Sequence, residues 1–208
     1  MASRERGNPE VKRTFERLGG VAEKKQDLYH ALRALGQLRG ENDAGDHSAG
    51  GHPDYTVLLP PFGFYIEAKA GHNNRFDFDQ IDEKQRNYLD LYAPISYLWL
   101  WMGEGRPTDN DNPRMAWLIP WKDWLDLEQL FAAHSRVSIP YEAASGLDAD
   151  TYLDAYKLTW VGKGCWDIPP KHPLWFRLTT EAREFAKKCE LWSTGYGKAE
   201  DERTSSLA

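Results

Sequence analysis

Residues 95–102, ISYLWLWM, are almost wholly apolar and contain no Gly, Pro, Asn or Asp. A run this short cannot cross a membrane as a helix, which takes about 20 apolar residues. A run this continuous has no polar side to turn toward water. It reads as a central strand buried on both faces, which requires a sheet with helices packed against it. The chain's 208 residues suffice for one compact domain with a sizeable core.

The neighbouring sequence supplies the sheet. YTVLL (Tyr55–Leu59) and FYIEAKA (64–70) are strand-like runs separated by Pro60-Pro61-Phe62-Gly63, which predicts an antiparallel hairpin. Residues 115–119 predict a further strand. Helices are predicted over 9–18, 22–38, 79–92 and 121–133. In the first, Pro9 suits the opening turn, Val11, Phe15 and Leu18 share a stripe, and Gly19-Gly20 ends it. The second rests on Leu28, Leu32 and Leu35, and the third takes Asp79 as N-cap and stops before Pro94. Residues 40–52, rich in glycine, predict a loop. Beyond about 135 the pattern weakens to strand-like pieces near 137–141 and 156–161 and a helix over 180–191. The order predicts a mixed α/β (α+β) domain over 1–192, with an extension from about 135 and a disordered polar tail over 193–208.

Composition bounds the function. At 41% hydrophobic and 13% aromatic residues the chain is globular. No apolar run approaches membrane-spanning length, and MASRERGNPE lacks the apolar core of a secretory signal. Cys165 and Cys189 do not make a disulfide framework, which fits a reducing, cytoplasmic setting. The net charge of −6 weighs against general nucleic-acid binding, but the charge is uneven. Residues 1–39 hold nine Lys/Arg against five Asp/Glu, and the remainder seventeen against twenty-seven. A local basic patch is compatible with acidic residues gathered at a metal site.

The chemistry concentrates on the hairpin. Asp54 opens the first strand, and Glu67-Ala68-Lys69 follows thirteen residues later on the second. Side chains alternate along a strand, so Glu67 and Lys69 share a face and the hairpin brings Asp54 beside them. Two neighbouring carboxylates repel unless a cation separates them. Magnesium is the hard cation that takes oxygen ligands, polarises a phosphate and acidifies water. Lys69 would orient water or neutralise charge on a phosphate. On the next helix Gln85 lies one turn from Ile81, on the apolar stripe with Tyr88 and Tyr92. A glutamine there needs a polar partner, either the backbone or the site beside Lys69.

Pro53-Asp54, Glu67-Ala68-Lys69 and the following Gln85 resemble the PD-(D/E)XK nuclease superfamily. YIEAKAGHNNRFDFDQIDEKQRNYLDLY is similar to the corresponding run of Holliday-junction resolvases of the RecU and archaeal Hjc types. The resemblance covers roughly residues 7–20 and 52–132. It implies a restriction-endonuclease-like central mixed β-sheet flanked by helices. It also implies DNA cleavage at four-way junctions with magnesium, or manganese in its place, by a homodimer in a bacterial, archaeal or phage-infected cell. Asp54 and Glu67 would hold the metal, with Lys69 and Gln85 beside them. The resemblance further implies a first-helix glutamate, matched by Glu10 with Glu16 as fallback. A restriction-like, repair or replication-associated nuclease is the alternative substrate class, and a non-catalytic DNA-binding module the alternative function.

Several residues remain open between roles. His52, Arg75, Lys84, Arg86, Lys12 and Arg13 are candidates for DNA phosphates, or are loop and surface residues. His47 and His72 lack the close spacing of a zinc site. Trp99, Trp101, Trp117, Trp121 and Trp124 read as core. Phe76 and Phe78 either pack beneath the helix or wedge into a junction.

Overall fold

The computed structural model describes residues 8–24, 53–60, 62–72, 74–103, 107–108, 114–142 and 146–180. Among them run α1 (Asn8–Arg17), β1 (Val21–Lys24), β2 (Tyr55–Leu59), β3 (Phe62–Ala70), β4 (Arg75–Asp77), α2 (Glu83–Leu91) and β5 (Ser96–Met102). These are followed by β6 (Met115–Pro120), α3 (Trp121–Ala133), β7 (Ser138–Pro140), α4 (Ala149–Tyr152), β8 (Thr159–Gly162) and β9 (Cys165–Asp167). The chain divides into one unit spanning Met1–His172 and a second spanning Pro173–Ala208. In the second, residues 173–180 form a helix whose Leu174 and Leu178 are buried one turn apart.

The first unit is a mixed α/β fold. Its five-stranded sheet has the order β1-β2-β3-β5-β6, with helices on its flanks. β1, β2 and β3 pair antiparallel, β5 runs parallel to β3, and β6 turns back antiparallel to β5. A parallel pair needs a crossover of a dozen or more residues. Residues 71–95 provide it and carry α2 on the way. All seven residues of β5 are buried, as its unbroken apolar sequence requires.

Alternation sorts the two faces of the sheet. Phe64, Ile66, Tyr97 and Trp99 share one face, which α1 covers through Phe15, 5.4 Å from Phe64 and 6.3 Å from Trp99 between ring centroids. Leu98, Leu100, Met102, Trp117 and Ile119 share the other and form the main core with Leu89 of α2 and Trp121, Trp124 and Phe131 of α3. Phe76 is buried in that core. Phe78 packs on it, edge-on to Trp124 at 5.7 Å. Both phenylalanines therefore pack under the helices. On β2, Tyr55, Val57 and Leu59 are buried while Thr56 and Leu58 are exposed, so this second face is open to water at the β1–β2 end.

Three expectations shift. Residues 21–24 form an edge strand, where leucine spacing had predicted the start of a helix over 22–38. Gly19, at φ +80, turns the chain out of α1, and at Gly20 a Cβ would come within 2.8 Å of the Leu58 carbonyl oxygen. That turn delivers Val21–Lys24 onto β2, and pairing overrides local helix preference. Residues 25–38, and the loop over 40–52 with His47 and His52, lie outside the described residues. The helix predicted over 79–92 is a 3-10 turn at Phe78–Gln80 followed by α2, whose N-cap is Asp82 rather than Asp79. The final helix has already begun by residue 173; the rest of the 180–191 prediction lies outside the described residues. No helix among the described residues is long and apolar enough to cross a membrane.

Gly71 leaves β3 with its N–H donated to the Trp101 carbonyl at 2.7 Å. A Cβ there would lie 2.6 Å from the Arg75 carbonyl oxygen and 2.7 Å from Met102 Cγ. Gly71→Ala is expected to lower stability by about 1–3 kcal/mol through overpacking. An unchanged urea midpoint would show that the backbone there yields freely.

Candidate active site

The hairpin register pairs Tyr55 with Ile66 and Thr56 with Tyr65. Carried one residue past the end of β2, it sets Asp54 opposite Glu67, on the face that α1 does not cover. Asp54 Oδ2 accepts the Ala68 N–H at 2.9 Å, which ties this carboxylate to β3. Glu67 is 1% exposed and Lys69 9% exposed, on the same face of the same strand.

Two side chains converge on one oxygen of Glu67. Lys69 Nζ lies 2.9 Å from Glu67 Oε1 and donates to Gln85 Oε1 at 2.8 Å. Gln85 Nε2 donates to Glu67 Oε1 at 2.6 Å. Gln85 arrives from the first turn of α2, where it is also half of a capping box. Its backbone N–H donates to Asp82 Oδ1 at 2.8 Å, and its side-chain Oε1 accepts from the Asp82 N–H at 3.2 Å. The D-x-x-Q spacing of Asp82 and Gln85 is a helix-start signal stronger than Asp79 alone, because it satisfies two backbone donors reciprocally.

The other oxygen, Glu67 Oε2, is buried and has no hydrogen-bond partner. Burial foremost, then the nearby Asp54 charge, pushes the Glu67 carboxyl up to about 7, against the opposing pull of Lys69 and of a hydrogen bond from the Asp54 backbone. A buried carboxylate with one oxygen clamped and one bare fits a divalent cation. Magnesium commonly uses one or two carboxylates and leaves its other positions to water and phosphate. No group of three or more His, Cys, Asp or Glu capable of holding a metal occurs among the described residues. Asp54 and Glu67 are the pair the hairpin offers.

The remaining candidates scatter. Glu10 is buried on α1, over the opposite sheet face, where it pairs with Arg114 and accepts the Trp166 indole N–H at 2.8 Å. Glu16 is half-exposed and lies 3.9 Å from Lys12. Arg13 lies against Gly164 of the β8–β9 turn. Arg75 pairs with Asp77 at 3.0 Å on β4, and His72 is exposed beside it. Arg86 faces inward, making two 2.7 Å bonds to Glu128 and donating to the Phe78 and Ile81 carbonyls. It thereby ties α2 to α3. Lys84, exposed on α2 beside Gln85, faces solvent.

Neither the family models, nor the curated proteins, nor the solved structures give a match to this chain.

A raised Glu67 pKa means that the fold favours the neutral acid. Between about pH 4.5 and 7 the folded state binds more protons than the unfolded one, so stability falls as pH rises through that window. The loss is on the order of 3 kcal/mol, complete above the folded pKa. Glu67→Gln should flatten this dependence and raise the melting temperature above neutral pH in metal-free buffer. Identical pH–stability curves for the two proteins would contradict the burial account.

Proposed function

We propose that this protein is a magnesium-dependent nuclease hydrolysing DNA phosphodiesters, with Asp54, Glu67 and Lys69 at its centre. The observation that carries this reading is the unpartnered, buried Glu67 Oε2, set beside an ammonium and across the hairpin from a second carboxylate. A buried oxygen left without a partner costs about 1–3 kcal/mol, more when charged, and a bound cation would remove that cost. Asp54 and Glu67 would hold the cation, which when bound polarises the phosphate and lowers the pKa of water.

The chain's own residues prepare the rest. Gln85 and Lys69 hold Glu67 through Oε1, so its orientation is fixed before any ligand arrives. Lys69 sets its side-chain nitrogen where the pentacoordinate phosphorus would build negative charge on its oxygens. The Ala68 N–H fixes Asp54. Lys84 on α2 is the exposed cation nearest in sequence to Gln85 and is the best placed of the basic candidates to meet a backbone phosphate. The finer proposal, from the resemblance in the E-x-K strand and following helix, is a resolvase of four-way DNA junctions working as a homodimer.

Incubation with a synthetic four-way junction and a matched linear duplex, in magnesium or EDTA, tests both levels. Symmetric magnesium-dependent cuts near the crossover are expected. Cutting of the linear duplex alone would move the substrate to the restriction or repair type, and binding without cutting would leave a DNA-binding module. Asp54→Ala, Glu67→Ala and Lys69→Ala should each lower cleavage at least about a hundredfold, as removal of one electrostatic catalytic group typically does. Circular dichroism should show the fold retained. Full activity in any of them would remove that residue from the proposed machinery.

A further inference from the structure

One tryptophan fixes the β8–β9 hairpin to α1. The Trp166 backbone N–H donates to Thr14 Oγ1 at 3.0 Å, and its indole N–H donates to Glu10 Oε2 at 2.8 Å. All three residues are buried, with Glu10 and Thr14 one helical turn apart on α1. Breaking such bonds would leave buried polar groups unpaired, so the hairpin keeps its place on the helix. Gly162 pairs with Cys165, which leaves Lys163 and Gly164 as a two-residue loop with φ of 54° and 73°. A loop of this kind needs positive φ at both positions and ordinarily takes Asn-Gly. At Lys163 the Cβ crowds a carbonyl oxygen, so a lysine there is a poor choice for the turn alone. Its side chain is exposed.

Gly164 brings a second cation to the same place. A Cβ on it would collide with Arg13 Nη1, so the guanidinium lies against bare backbone next to Lys163. Among the described residues neither Arg13 nor Lys163 has a carboxylate partner. Exposed Lys12 adjoins Arg13, and exposed Arg17 follows it by one turn, a spacing at which like charges repel. Two carboxylates pair with this group, Glu16 at 3.9 Å from Lys12 and Asp167 at 3.7 Å from Arg17. Pairs this long and exposed neutralise little. A chain with a net charge of −6 thus gathers four cations on one rigid surface. That surface suits a polyanion, whose bound counterions are released as the cations approach.

We propose that Arg13 and Lys163, flanked by Lys12 and Arg17, bind the phosphate backbone of duplex DNA; the choice of DNA among polyanions rests on the nuclease reading. α1 covers the sheet face opposite Glu67, so this is a second contact, separate from the carboxylates. Phosphate contacts position a duplex and carry no sequence information. Glu10 and Thr14 act here as positioning residues, since they hold the hairpin that presents Lys163.

The test titrates the full chain against a fluorescently labelled linear duplex in calcium buffer, at several potassium chloride concentrations. Lys163→Asn should lower the slope of log affinity against log salt by about 1, and the same change combined with Arg13→Gln by about 2. Lys122→Gln removes an exposed cation of α3, outside the patch, and should leave the slope unchanged. Asparagine tolerates positive φ, so Lys163→Asn should also raise the melting temperature while weakening binding. A purely structural lysine would not move the two in opposite directions. Folded variants with the wild-type slope overturn the patch, as does an equal loss in Lys122→Gln or a wild-type protein that does not bind the duplex. Patch-dependent binding to phosphatidylserine vesicles, with the DNA slope unchanged, would assign the surface to a membrane instead. Parallel reactions in magnesium separate the two ideas. Patch-dependent binding without cleavage rejects the nuclease and keeps the patch; cleavage with an unchanged slope does the reverse.

Discussion

Placing Glu67 on the central strand, almost wholly out of water, forces the composition of everything around it. An ionised carboxylate in such a place is costly unless it is paired and hydrogen-bonded. Lys69 supplies the charge and Gln85 the second donor, both to the same oxygen. Neither contact suffices alone, because Lys69 is itself nearly buried and needs Gln85 Oε1 as a further acceptor. The three groups form a closed triangle whose members satisfy one another and leave one oxygen outside it.

That triangle depends on topology. Glu67 and Lys69 come from β3, and Gln85 from the crossover that makes β5 parallel to β3. A hairpin continuing directly into β5 would give an antiparallel neighbour and leave no helix to hold the glutamine. The apolar residues that draw α2 and α3 onto the sheet, Leu89, Trp121, Trp124 and Phe131 among them, therefore set the polarity of the site from a distance. Arg86 contributes to the same end. Its bonds to Glu128 and to two carbonyls fix the first turns of α2 against α3.

The elements that rest on local pattern were legible in the sequence. Alternation placed Glu67 and Lys69 on one face, and helical spacing turned Gln85 toward the sheet; the turn read over 60–63 gave the hairpin, although Phe62 and Gly63 already pair with Leu59 and Leu58 as the start of β3. Trp121–Ala133 forms a helix over the residues its periodicity predicts. What escaped depends on partners far along the chain. Val21–Lys24 becomes a strand because β2, some thirty residues later, offers an edge. The companions of Glu10 are 104 and 156 residues away, so no spacing rule could have shown that this acid sits across the sheet from the hairpin carboxylates. Trp166 lies in a short hairpin, β8–β9, of which only the first strand left a trace in the sequence.

One atom of Gln85 has two employers. Its Oε1 accepts from the Asp82 backbone at the start of α2 and from Lys69 in the interior. Helix ends are where local opening is cheapest. Fraying of that first turn would withdraw the amide from Lys69 and Glu67 in the same movement, turning a fixed carboxylate into a mobile one. Asp82 is a solvent-exposed residue bonded to Gln85, and through this shared oxygen it governs how rigidly both are held.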